Sequence, residues 1–153
     1  MAGRTGGFEF RETMSGQWRR VAPVAEAAER PFTFTLHCVS APLPRFLRRR
    51  EMAVTGTLDA EGLATAAPLE GTLGMDLLLT RTLPYAFQFT GDDGETYTMR
   101  GQKTVRGPAS LADDMTRLPA QVLDAAGEVV GEVTVYFDMR GDLVSFLRSF
   151  RLV

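Results

Sequence analysis

The chain has no isoleucine and no asparagine, and only one cysteine, one histidine and one lysine among its 153 residues. Each scarcity excludes something. Cys38 alone cannot form an internal disulfide, and a lone thiol makes no CxxC redox or metal motif. His37 alone cannot build a metal site. No run approaches the roughly 20 apolar residues of a membrane-spanning helix, and the opening MAGRTGGFEF has no apolar stretch of signal-peptide length. A soluble cytoplasmic protein without metal or cofactor is the expectation. Net charge is only −2, so no global field pulls the chain toward nucleic acid or an anionic surface.

Sixteen arginines stand beside the one lysine, a bias of coding rather than of chemistry. It makes the position of Lys103 informative, because arginine was the easy alternative. What the sequence has in abundance is alternation with period two, which sends successive strand side chains to opposite faces. Phe8, Phe10, Glu12 and Met14 share one face of a first strand, and Phe32, Phe34, Leu36 and Cys38 one face of a second. Met52, Val54, Gly56 and Leu58 follow, then Leu63, Thr65, Ala67, Leu69, Gly71, Leu73 and Met75. Leu83, Tyr85, Phe87 and Phe89 precede a Gly91–Gly94 turn, and Tyr97, Met99, Gly101, Lys103 and Val105 succeed it. A late strand carries Val129, Gly131, Val133, Val135, Phe137 and Met139. Residues 76–82 and 114–123 are expected to be extended, with no clear inward face.

Many short strands separated by Gly and Asp turns predict an all-β fold. Inward glycines at 56, 71, 101 and 131 mark the tight bends of a small closed barrel. The expectation is one domain over residues 8–153 after a flexible start at 1–7: a single antiparallel β-barrel of eight or nine strands, calycin-like, with a short C-terminal helix. That helix falls at 142–150, where Leu143, Phe146, Leu147 and Phe150 form an apolar stripe. Residues 22–30 read as a short helix or a mobile connection. Residues 42–50 read as one or two helical turns with Leu43, Phe46 and Leu47 on one side, and 106–113 as a loop.

Glu12 and Lys103 fall on apolar faces. A buried charge is costly unless paired and hydrogen-bonded. Three readings follow: an ion pair bridging strands, a polar anchor inside an apolar ligand cavity, or an acid–base pair with a deprotonated lysine. If the barrel is hollow, Phe34, Leu36, Val54, Tyr85, Phe87, Tyr97, Met99 and Val133 line the cavity beside Glu12 and Lys103. His37 and Cys38 point to opposite faces of one strand and cannot form a dyad. Gly16-Gln17-Trp18 matches the Gly-x-Trp of lipocalins, with Trp18 expected to close a barrel end or pack under 22–30. Arg45, Arg48, Arg49 and Arg50 are the one dense basic run, either a solvated helix face or a patch for an anionic membrane or a partner. No aromatic platform interleaves it, which argues against nucleic acid.

The order and spacing of several segments resemble a domain attached to cholesterol-oxidase-like flavoproteins of the glucose–methanol–choline oxidoreductase superfamily. They are Phe10-x-Glu12-x-Met14-x-Gly16, Thr55-Gly56, the arm holding Gly94, Tyr97, Gly101, Lys103 and Val105, and the closing run of Asp142, Phe146, Leu147, Phe150 and Arg151. The flavoprotein module itself is absent, since no G-x-G-x-x-G follows a strand. The resemblance implies a free-standing accessory domain. The leading expectation is a non-catalytic binding module for a hydrophobic small molecule, which the resemblance implies is lipid- or sterol-like, acting beside a flavoprotein or hydrolase, with homo-oligomerisation left open. The alternatives are an interaction domain with a filled core and a small cyclase or isomerase using Glu12 and Lys103.

Overall fold

In a computed structural model, the described residues are 6–76, 80–137 and 151–152, without the side chains of Leu43 and Ala112. The strands are β1 (Phe8–Arg20), β2 (Arg30–Ser40), β3 (Glu51–Ala60), β4 (Ala64–Gly74), β5 (Thr82–Thr90), β6 (Thr96–Thr104), β7 (Arg117–Leu123), β8 (Val129–Tyr136) and β9 (Arg151–Leu152). Two short helices, α1 (Leu43–Arg49) and α2 (Leu111–Thr116), join strands at one end of the sheet. Neighbouring strands pair antiparallel in sequence order from β1 to β8, and β8 pairs back onto β1, closing an eight-stranded barrel. The ninth strand is an addition to the seam: β1 pairs with β8 through Ser15–Arg20 and with β9 through Phe8–Glu9.

The period-two faces of the sequence become the inside of the barrel. Phe10, Met14, Phe32, Phe34, Leu36, Leu58, Leu73, Phe87, Met99, Val122 and Val135 are all buried. Trp18 closes one end. Its Nε1 donates to the Glu61 carbonyl at 3.0 Å, and the Arg20 guanidinium sits 5.3 Å from its ring centroid. Gly131 makes room for it, since a Cβ there would lie 2.9 Å from Trp18 Cε3. Gly56 shows why a barrel this tightly coiled needs glycine: a Cβ would sit 1.9 Å from the Thr35 carbonyl oxygen of the adjoining strand.

Several local expectations change. Thr65, expected inward, is exposed, because the β3–β4 register shifts between Leu58 and Ala60 and Ala66 adopts a φ of 43°. That β-bulge puts Ala64 inside instead, and Asp59 Oδ1 accepts the Ala66 amide at 2.8 Å. A second shift at Val122–Leu123 buries Val130 and leaves Val129 half-buried. Residues 22–30 hold no helix. Instead, Glu26 ties the connection to Arg20 and Arg30. Leu47 is 68% exposed rather than sharing a buried side with Phe46, whose ring meets Phe8 edge-on at 5.2 Å. Of the extended stretch expected over 76–82, the described residues before β5 show the Asp76–Thr82 bridge, and 77–79 lie outside them. The helix expected at 142–150, and Met139, lie outside the described residues.

The loop expected at 106–113 is a 3₁₀ turn (Pro108–Ser110) running into α2, so β7 starts only at Arg117. Asp114 holds this corner. Its carboxylate accepts the Arg106 amide at 2.8 Å, the Ser110 hydroxyl at 2.7 Å and Arg106 Nε at 3.0 Å. These bonds, that from the Arg106 amide foremost, hold its pKa down at about 2. A depressed carboxylate stabilises the fold above its unfolded value of about 4 and loses that contribution as pH falls through the folded value. Asp114→Asn should therefore melt below the parent at pH 6. The gap should close as both are titrated from about pH 4 to about pH 2. A gap constant across that range would contradict this role.

Candidate functional site

Glu12 and Lys103 meet inside the barrel. Lys103 Nζ lies 3.4 Å from both Glu12 carboxylate oxygens, and the side chains are 2% and 8% exposed. β1 and β6 are not neighbours; β7 and β8 stand between them. The pair is therefore a strut across the lumen, joining positions 91 residues apart in the chain. Tyr85 from β5 completes it. Its hydroxyl donates to Glu12 Oε1 at 2.7 Å, and its ring centroid is 5.2 Å from Lys103 Nζ. Among the described residues, no buried side-chain nitrogen or oxygen lacks a hydrogen-bond partner. A tyrosine on an otherwise phenylalanine face needs a partner for its hydroxyl. That signal could have singled out Tyr85 as a third polar member rather than as cavity lining.

The electrostatics make the cluster inert rather than reactive. Burial, then the charge and hydrogen bond of Glu12, push the Tyr85 phenol well above its ordinary range, so it remains a proton donor. Cys38 is buried, and its thiol is pushed up to about 12, first by burial and then by Glu12, with Lys103 opposing. The thiolate is the reactive form of cysteine. A disulfide-exchange reagent such as DTNB should therefore leave Cys38 unmodified at pH 8 in the folded protein and react once the protein is unfolded. Fast labelling without denaturant would show that the interior opens.

The structure places all ten residues expected to line a ligand site inside the barrel. Their surroundings are not those of a cavity. Leu36 and Met99 are 0% exposed, Phe34, Tyr85 and Phe87 1%, Val54 2% and Val133 3%. A ligand-sized void would leave much more accessible surface on the side chains around it, so these values describe a closely filled lumen. Phe34 and Phe87 meet edge-on at 5.3 Å, and the strut occupies the space between β1, β5 and β6. The cavity that a hollow barrel would place beside Glu12 and Lys103 is not seen among the described residues. Nor do all ten residues form one group. Tyr97 stacks on Phe89 and donates its hydroxyl to Asp93 in the 91–95 turn, about 20 Å along β6 from Lys103.

The concavities are on the outside. One groove of about 870 Å³ runs along β1 and β8 past Gln17, Arg19, Glu132 and Tyr136, and another of about 660 Å³ crosses β5–β8 near Arg100 and Gln121. His37 is half-buried on the outer face and bonds Glu9 at 2.8 Å, so the two do not reach Cys38. Among the described residues, no group of three or more His, Cys, Asp or Glu could hold a metal ion. No helix among them is long and apolar enough to cross a membrane.

No family model, curated protein or solved structure matches this chain. The resemblance to the flavoprotein-associated domain therefore rests on the segments quoted above alone.

Proposed function

We propose that the chain is a non-catalytic interaction domain. The barrel acts as a rigid body, its outer surface and ends meet partners, and the Glu12–Tyr85–Lys103 cluster locks the interior. The observation that carries this reading is the filled lumen. A lipid- or sterol-binding barrel encloses its ligand in an apolar cavity of roughly 300 Å³ or more, whereas here the strut and the aromatic layer occupy that place. The catalytic alternative lacks support for the same reason. A substrate would have to reach Glu12 and Lys103, each of which already has the other as its partner. A larger enzyme, flavoprotein or hydrolase, is the partner that the sequence resemblance favours.

Thermal unfolding with a panel of fatty acids and sterols tests this against the binder. A one-site ligand at a hundredfold excess over its Kd stabilises a fold by about 2.7 kcal/mol. The interaction domain should show no shift with any member of the panel. A saturable rise in melting temperature with one of them would replace this reading with the binder.

A further inference from the structure

The net charge of −2 conceals a strong polarity along the barrel axis. At the end closed by Trp18, four connections join the strands: residues 21–29, 61–63, 91–95 and 124–128. They carry Glu26, Glu29 and Glu61, then Asp92, Asp93 and Glu95, then Asp124 and Glu128, and no arginine or lysine. Several of these acids also have structural partners, Asp92 accepting the Thr65 hydroxyl at 3.1 Å. Asp93 accepts the Glu95 amide at 2.9 Å, and Asp124 accepts those of Ala126 and Glu128 at 2.9 and 3.0 Å. The flanking Arg20 and Arg30 pair with Glu26.

The opposite end is basic. α1 presents Arg45, Arg48 and Arg49, all exposed. Arg81 and Arg117 are exposed in and beside the neighbouring connections, as is Arg151 on β9. Among the described residues, the carboxylates here are largely spent: Asp76 pairs with Arg50, Asp114 with Arg106, and Glu9 with His37, leaving Glu51 and Asp113. These connections form one continuous surface. The Met75 amide donates to the Arg50 carbonyl at 2.7 Å, the Val105 amide to that of Arg81 at 2.8 Å, and Phe46 of α1 packs on Phe8. Five large hydrophobic residues are prominently exposed among the described residues. Three of them, Leu47 at 68%, Leu111 at 48% and Leu152 at 77%, are at this end among the arginines.

We propose that the α1 end of the barrel docks on an anionic lipid bilayer, with the acidic end held away from it. Arginines set among outward leucines match a surface with anionic headgroups outside and acyl chains just beneath. Field repulsion at the far end fixes the orientation. The leucines favour a bilayer over the acidic end of a second copy or an acidic polypeptide, either of which would meet the arginines alone. The inference rests on the interaction-domain reading and gives it a partner.

The test is co-flotation of the intact chain with phosphatidylcholine vesicles, with and without about 30% phosphatidylserine. Binding should require the anionic lipid and weaken as salt rises from about 0.05 to about 0.5 M. Replacing Arg45, Arg48 and Arg49 together by Gln should weaken it about a hundredfold, while the three Lys replacements should retain it. Leu47→Gln should weaken it with the melting temperature unchanged, and Glu95→Gln with Glu128→Gln should not weaken it. Absence of binding to anionic vesicles overturns the proposal, as does equal binding to neutral ones or an unaltered triple Gln variant. So does salt-sensitive self-association without vesicles that the acidic-end substitutions abolish, which would assign the basic end to another copy. If vesicles fail while the sterol panel is also silent, the membrane partner falls and the interaction domain stands. A sterol shift would remove the reading beneath both.

Discussion

Lys103→Met should destabilise the barrel by about 3–5 kcal/mol, because Glu12 is then left inside without its cation. For a domain of this size that is a fall of about 6–20 °C in melting temperature. The loss is not the worth of the ion pair. Taking both groups out of water costs nearly what their attraction returns, so removing both charges together is far milder than removing one. The double variant Glu12→Met with Lys103→Met should therefore recover much of the loss, although the Tyr85 hydroxyl then lacks its 2.7 Å acceptor. Adding Tyr85→Phe to the double variant should improve it further, since that leaves no buried donor unpaired. Urea unfolding of the four proteins checks the series. A Lys103→Met variant within about 0.5 kcal/mol of the parent would mean that water reaches Glu12 and that the lumen is not closed.

Gly56→Ala should be at least as damaging. The added methyl would sit 1.9 Å from the Thr35 carbonyl oxygen, 3.0 Å from its carbon and 3.2 Å from Leu36 Cα. All three atoms belong to the backbone of β2, which cannot retreat without breaking its ladder with β3. The expected cost is at least about 3 kcal/mol, the upper range for overpacking, or failure to accumulate as folded protein. Gly107→Ala is the matched control. Its Cβ would meet nothing within 4 Å, and the φ of 171° is ordinary extended backbone. It should stay within about 0.5 kcal/mol of the parent. A Gly56→Ala protein unfolding at the parental midpoint would show that the strands are less tightly coiled than described.

The barrel was legible because its interior is written in period two. One unbroken alternation in each of β1, β2, β5 and β6 sorted inside from outside, and it put Glu12 and Lys103 in the same lumen from strands that are not neighbours. Alternation fails where an extra residue enters a strand. The bulge at Ala66 moved Thr65 out and Ala64 in, and the shift at Leu123 buries Val130 and leaves Val129 half-buried. Neither has a signature in composition. Nor did Gly107-Pro108 announce a turn of 3₁₀ helix, since the corner is held by Asp114 reaching back eight residues to Arg106. Whether the lumen is hollow depends on volumes summed over eight strands, which no single strand reveals. The charge polarity was hidden for a related reason. Acidic connections alternate along the chain with connections of which the α1 run is the strongly basic one, and only antiparallel pairing gathers the acidic ones at the opposite end.

The closed, occupied lumen is the central claim, and the methionine methyl groups report on it directly. Met14 and Met99 are wholly buried inside the barrel, and Met52 is 1% exposed. Met75 and Met115, partly buried, lie in the connections of the basic end. With ¹³C-methyl methionine, titration of fatty acids and sterols should leave the Met14, Met52 and Met99 resonances unmoved, while anionic lipid bicelles should shift, of the five described methionines, Met75 and Met115. A saturable shift of Met14 or Met99 on adding any one of these lipids would place a ligand beside Glu12, Tyr85 and Lys103 and contradict the filled barrel.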